Sequence, residues 1–280
     1  MYAVWVFHEH ASSSADTGGQ NVVMFAVSHD HGQHWTTRRI YQAPTGEGIW
    51  GTQLFVARGR RFVVTYRKTG TTDWAIDALR SRDGGRTWTR PIRVAPLTPG
   101  VINASGLLMP IFVNDLSASG PRGAVYTAWS NNTADGRGQV LISHTDDGGR
   151  TWTRPTSITS GPCNAMLTTV ALSGPTLGVS YYAFRQCKPG TAPLLDVWFA
   201  ASNDHGAHWQ TTRLAGPFDL RSVLDLTFLP GVHGEPPGRF LGDYTGLAAT
   251  ANGFGAIMIL PRPYARYGQQ DVFFRRINTH

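Results

Sequence analysis

Apolar residues in this chain fall into short runs rich in Val, Ile, Phe, Tyr and Trp, many alternating with polar positions, and each run is closed by Gly, Asp, Asn, Ser or Pro. A period of two places successive side chains on opposite faces of an extended strand, and no stretch sustains the 3.6-residue period of an amphipathic helix. The pattern predicts an all-β chain of short strands and tight turns.

One octet of the form Ser/Thr-x-Asp-x-Gly-x-x-Trp occurs four times, as Ser28–Trp35, Ser81–Trp88, Thr145–Trp152 and Ser202–Trp209. Its Trp residues follow one another at steps of 53, 64 and 57 residues. A strand-like run precedes each octet (Val22–Val27, Trp74–Leu79, Val140–Ile142, Val197–Ala200) and another follows it (Thr36–Tyr41, Thr89–Val94, Thr153–Ile158, Gln210–Leu214). The octet is therefore a hairpin turn. Its Ser/Thr hydroxyl and its carboxylate (Asp30, Asp83, Asp147, Asp204) accept turn N–H groups, the Gly takes positive φ, and Trp35, Trp88, Trp152 and Trp209 pack over the hairpin. Calcium binding at Asp146 and Asp147 would need further oxygen ligands at regular spacing, which the octet lacks.

Two more runs precede each of octets two to four: Gln53–Ala57 with Arg61–Tyr66, Ile111–Asn114 with Ala124–Trp129, and Leu167–Leu172 with Leu177–Phe184. Each period is thus four antiparallel strands, A to D, with the octet between C and D. Such units in series predict a β-propeller of four-stranded blades. A fifth unit without an octet has A at Gly246–Thr250, B at Gly255–Leu260 and C at Val272–Ile277, and the first unit starts at strand B, Tyr2–Phe7. We expect one domain over 1–280, with blade periods 1–41, 51–94, 109–158, 166–214 and 241–280. Strand A would line a central channel, and the D-to-A and B-to-C loops would share its mouth.

Composition narrows the function classes. Charged residues are 15% of the 280, below the roughly 25% of ordinary soluble domains. The net charge of +7 comes from 23 Arg against 2 Lys, scattered along the chain rather than gathered in a basic stripe, so no nucleic-acid partner is expected. No apolar run reaches the ~18 residues of a membrane span, and the first residues carry no signal-peptide pattern. His8-Glu9-His10 lacks a third metal ligand nearby, and there is no phosphate-binding loop or nucleophile elbow, so no cofactor or metal is expected.

The octet resembles the Asp box, and the whole chain resembles the sialidase-like Asp-box, or BNR-repeat, propellers. That resemblance implies retaining exo-hydrolysis of an anionic terminal sugar. Its last-blade pattern, a Tyr before the inner strand, falls on Asp243-Tyr244-Thr245-Gly246-Leu247, which makes Tyr244 the implied nucleophile and Asp243 the nearest acid. A Tyr nucleophile needs a Glu to take its proton. The chain has only Glu9, Glu47 and Glu235, and none lies in the middle blades where the family's Glu is expected. Glu47 and Glu235 are the catalytic candidates left, and Asp73 and Asp135 occupy other channel-mouth loops. Arginines at B-strand ends, Arg67, Arg185 and Arg262, with Arg266, Arg221 and Arg239 in loops on the same face, would hold a sugar carboxylate bidentately. Trp50, in a D-to-A loop, would stack on a sugar.

The Phe/Tyr-Arg-Ile-Pro motif of the first sialidase arginine is absent. At about 58 residues per blade, 280 residues make about 4.8 blades, whereas six would need about 348. The expectation is an incomplete six-bladed propeller, with a closed five-bladed ring as the alternative. Two functions follow: a sialidase-like exo-glycosidase or a derivative of one, and a noncatalytic secreted propeller that binds a glycan or protein through its channel-mouth face.

In a fourth-blade hairpin centred on Gly174-Pro175, directly opposed residues have numbers totalling about 350, as those of Cys163 and Cys187 do. A disulfide there would place the protein in an oxidising compartment, secreted, periplasmic or at the cell surface. Folded, unreduced protein is then expected to resist alkylation at both cysteines; labelling of both in mass spectrometry would refute the pairing.

Overall fold

The computed structural model describes residues 1–9, 20–57, 61–70, 73–98, 102–104, 107–109, 116–119, 124–133, 137–159, 163–186, 191–225, 239–242 and 245–279. The described chain is all-β apart from one 3-10 turn, Leu220–Ser222. The first sheet holds β1 (Tyr2–Glu9), β2 (Gln20–Val27) and β3 (Thr36–Gln42), and the second β4 (Gly48–Ala57), β5 (Arg61–Thr69), β6 (Ala75–Ser81) and β7 (Ile92–Pro96). A hairpin, β8 (Ile102–Ala104) with β9 (Leu107–Met109), precedes the third sheet of β10 (Leu116–Ser119), β11 (Val125–Asn132), β12 (Gly138–Thr145) and β13 (Thr156–Ser157). The fourth sheet is β14 (Ala165–Ser173), β15 (Thr176–Phe184), β16 (Leu194–Ser202) and β17 (Gln210–Asp219). A two-residue pair, β18 (Leu224–Asp225) with β19 (Arg239–Phe240), separates it from the last sheet, β20 (Gly246–Thr250), β21 (Gly253–Pro261) and β22 (Gln270–Asn278).

Strand order in every blade sheet follows chain order, and the first and last sheets have three strands, as the repeat pattern predicts. Some boundaries differ for local reasons. The second and third D strands start later than expected, at Ile92 and Thr156, because Pro91 and Pro155 have no N–H to give to a ladder. The A strand expected at Ile111–Asn114 lies outside the described residues, and β10 opens that sheet instead.

The four octets share one hydrogen-bond pattern. The Ser or Thr hydroxyl donates to the Asp carboxylate at 2.8 Å in each. It also accepts the N–H of the octet glycine at 2.8–3.0 Å. The carboxylate in turn accepts the N–H before the Trp, at 2.9–3.0 Å. These donors hold the carboxylates below their usual range, Asp30 at about 2 through the backbone N–H of His34 and the Ser28 hydroxyl. Two consecutive residues of each octet take positive φ: Gly84 and Gly85, Gly148 and Gly149, but His31 with Gly32 and His205 with Gly206. Trp35 and Trp88 donate Nε1 to the octet glycine carbonyl, whereas the Nε1 atoms of Trp152 and Trp209 are buried without a partner among the described residues.

The chain divides into two compact units. The first comprises Met1–Leu97, Ser117–Thr127 and Ser143–Arg154, and the second Thr98–Leu116, Ala128–Ile142 and Pro155–His280. Inside the first, Tyr2, Phe25, Phe62 and Trp88 form a ring stack, with centroids 4.7 Å apart for Tyr2–Phe62 and 5.3 Å for Phe25–Phe62 and Phe25–Trp88. Inside the second, Phe199, Tyr182, Phe218, Phe254, Met258 and Leu260 share one core. Its polar tie is Tyr182, whose hydroxyl donates to the Ile259 carbonyl at 3.0 Å and accepts the Ile259 N–H at 2.9 Å, bridging the fourth and fifth sheets.

A Cβ on Gly85 would meet the Phe25 ring at 2.5 Å, with φ at +83°, while one on Gly148, φ +71°, would meet nothing within 4 Å. Gly85→Ala is therefore expected to cost about 2–4 kcal/mol of stability through backbone strain and overpacking together. Gly148→Ala should cost about 1 kcal/mol, strain alone. Urea unfolding of both variants checks the ranking, and equal losses would refute it.

Candidate functional site

The first unit gathers charge where the loop before β4 meets the β5–β6 connection. Lys68, near the end of β5 and 7% exposed, donates Nζ to Asp73 and stands 3.6 Å from the Glu47 carboxylate. Arg93 on β7 bridges two acids: Nε reaches Asp77 on β6 at 2.8 Å, and Nη1 and Nη2 reach Asp73 at 3.1 and 2.9 Å. Burial alone would lower the Lys68 ammonium, but Asp73, Glu47 and Asp77 together hold it above its ordinary value. Arg93 and Lys68 hold Asp73 down at about 2. Asp77 moves the other way, because burial outweighs its guanidinium partner.

On β4, Trp50 is 47% exposed, donates Nε1 to Thr69 Oγ1 at 3.3 Å and lies with its ring 5.6 Å from that of His8. Tyr66 and Tyr41 stack at 5.9 Å. The Tyr66 hydroxyl is buried with no hydrogen bond of good geometry, and burial, reinforced by Asp77, pushes its phenol far up. Burial and the Glu47 charge push Tyr41 up as well. Both phenols are therefore held protonated at neutral pH.

The sequence-derived candidates separate on this geometry. Glu47 stands beside Lys68, whereas Trp50, on β4 rather than in a loop, pairs with Arg67, which is buried on β5 at 5% exposure. In the second unit Arg185 gives Nε and Nη2 to Asp196 on β16 at 2.6 and 3.1 Å, so its bidentate fork serves a carboxylate of its own blade. Arg221 likewise clasps Asp219, through Nε at 3.0 Å and through Nη2. Arg262 donates Nε to the Gly268 carbonyl at 3.0 Å, Arg239 donates Nη1 to the Val223 carbonyl at 3.2 Å, and Arg266 lies 5.5 Å from the Tyr267 ring centroid. Tyr244, Asp243, Glu235, Asp135, His10 and Cys187 lie outside the described residues.

The fourth hairpin carries a bulge that shifts its register. Opposed residues total 349 near the turn, as in Ser173↔Thr176, and 348 beyond the shift between Met166 and Thr169, as in Ala165↔Ala183. Leu167, at φ +51°, lies within that shift, and the partner expected for Cys163, Cys187, lies outside the described residues. Sequence reading missed Asp77, Asp196, Lys68 and Arg93. Their signal was a carboxylate inside an apolar strand, as in Ala75-Ile76-Asp77-Ala78-Leu79 and Leu194-Leu195-Asp196-Val197. Among the described residues no group of three or more His, Cys, Asp or Glu is arranged to hold a metal.

Asp73 tests the network through pH. Its folded value of about 2 lies below the ~3.9 of an unfolded Asp, so its contribution is complete above about pH 4 and fades as pH falls toward 2. Asp73→Asn is expected to lower the denaturant midpoint at pH 7 and to flatten its decline between about pH 4 and 2.5. Wild-type and variant curves that run parallel would show that the pairing adds nothing.

A family model described as the BNR repeat-like domain matches residues 7–231. No curated protein matches the chain by sequence. Among solved structures, a Penicillium chrysogenum α-L-arabinanase complexed with arabinobiose aligns at TM-score 0.55 and 15% identity over 91% of this chain and 70% of its own. Trypanosoma rangeli sialidase aligns at 0.53 and 16% over 98% and 44%. The leech intramolecular trans-sialidase complexed with 2,7-anhydro-Neu5Ac aligns at 0.50 and 14% over 92% and 36%. The chain thus spans well under half of either sialidase. No helix among the described residues is long and apolar enough to cross a membrane. With four-stranded sheets in chain order and a family match over most of its length, the chain belongs to the BNR repeat-like family, with the fold of propeller glycosidases.

Proposed function

We propose that this chain is a glycoside hydrolase-type propeller that acts on a terminal sugar of a glycan. The observation that carries the reading is the Glu47 carboxylate beside Lys68, within a chain whose structural relatives are a sialidase, a trans-sialidase and an arabinanase. Glu47 is the carboxylate around Lys68 left without a hydrogen-bonded cation, since Asp73 and Asp77 are held by Arg93. It serves as general base or acid, Lys68 beside it favours an anionic group, and the exposed Trp50 face stacks on a pyranose or furanose ring. Tyr244 keeps the nucleophile role that the sialidase resemblance gives it. A Cys163–Cys187 bridge would make this a protein of an oxidising compartment.

The second reading, glycan binding without hydrolysis, is favoured by the arginines. Arg185 and Arg221 grip acids of their own blade or loop, which leaves fewer guanidinium forks for a substrate carboxylate.

Release of fluorophore from an aryl sialoside and an aryl α-L-arabinofuranoside, by wild type, Glu47→Gln and Tyr244→Phe, tests the reading. Turnover of at least one substrate is expected, with each variant reduced about 100-fold or more in kcat. Full activity in Glu47→Gln would remove Glu47 from the mechanism, and no turnover by wild type would leave glycan binding as the function.

A further inference from the structure

The second unit holds a cavity of about 460 Å³ on one face of the fourth sheet, opposite the face that packs on the last sheet. Strand register explains its shape. Tyr181 pairs with Trp198 and Trp198 with Arg213, so these three side chains stand in one cross-strand row. The neighbouring row is Ala165, Ala183 and Asp196. Two alanine methyl groups beside Tyr, Trp and Arg leave a hollow walled by rings.

The polar groups of that hollow are unevenly satisfied. Asp196, 2% exposed, is neutralised by Arg185. Arg213 stands 3.6 Å from the same carboxylate, beyond hydrogen-bond reach, with its side chain 48% exposed. The cavity rim therefore carries one more positive charge than negative. Tyr181 is 6% exposed, and burial alone pushes its phenol up to about 12. No charged or hydrogen-bonding neighbour contributes to that shift, so a buried, neutral hydroxyl is presented to the cavity.

We propose that this cavity is a second carbohydrate site, one that takes a carboxylated pyranose, a hexuronate. The ring lies against Trp198, a sugar hydroxyl pairs with the Tyr181 hydroxyl, and the carboxylate takes two donors from Arg213. The site uses none of the residues of the proposed hydrolytic group and stands or falls independently of it. Arg185 acts as a positioning residue, offsetting the charge of Asp196 so that it does not repel the ligand.

Calorimetric titration of the folded protein with D-glucuronate, and separately with D-glucose, tests the proposal. Glucuronate is expected to bind at least about tenfold more tightly than glucose, because the Arg213 pair is charge-assisted. Tyr181→Phe, which keeps the ring packing, should weaken glucuronate about fivefold, and Arg213→Gln should abolish the preference over glucose. Circular dichroism of each variant confirms folding. Absent glucuronate binding, equal affinity for the two sugars, or undiminished binding in both variants would each overturn the assignment.

Discussion

The structure depends on a short chain of hydrogen bonds from Asp carboxylate to Ser or Thr hydroxyl to glycine N–H, repeated in all four octets. That lock holds two successive residues at positive φ and so sets the direction in which the next strand leaves. It also brings a Cα without a side chain against the preceding blade. Gly85 seats on Phe25 and Gly149 on Val63, whose methyl carbons a Cβ at Gly149 would meet at 3.1 Å. A turn and a packing contact are thus specified by the same residues. The repeat can therefore persist while the strands between octets diverge in sequence.

Charge is sparse in this chain, and two acids that enter strands are paired with arginines of their own blade. Asp77 with Arg93 in the second sheet and Asp196 with Arg185 in the fourth follow one plan, in which a C-strand acid turned into the sheet meets an arginine of a neighbouring strand. Burying a lone carboxylate would be costly, and a guanidinium partner offsets part of that cost. The abundance of Arg over Lys fits this use, since a planar fork satisfies both carboxylate oxygens at once.

The repeat architecture was legible because the octet is local: its turn, its strands and its period lie within a few tens of residues. Gly246–Thr250 falls where the period-two pattern places it, and the first strand and those flanking the octets overlap the runs expected for them. What sequence left hidden depends on register and on cross-strand neighbours. The one-residue shift near Leu167 moves the fourth hairpin's pairing, and nothing in Met166-Leu167-Thr168-Thr169 announces a bulge. Asp77 stands among apolar residues of its strand. Its meaning came only from Arg93, 16 residues away and opposite it in the ladder.

The same register logic separates the two candidate sites. In the second blade the row through the C-strand acid is Tyr66, Asp77 and Arg93, large side chains that fill the sheet face and leave the Tyr66 hydroxyl buried. In the fourth blade the corresponding acid stands beside Ala165 and Ala183, and the aromatic residue is displaced by two positions, to Tyr181. Two small side chains and a two-residue offset thus turn a packed face into a cavity without altering the backbone plan. A repeat whose turns are fixed by the octet lock has this freedom on every blade face. Ligand sites in such a chain are to be sought where a small residue occupies the row of a C-strand acid.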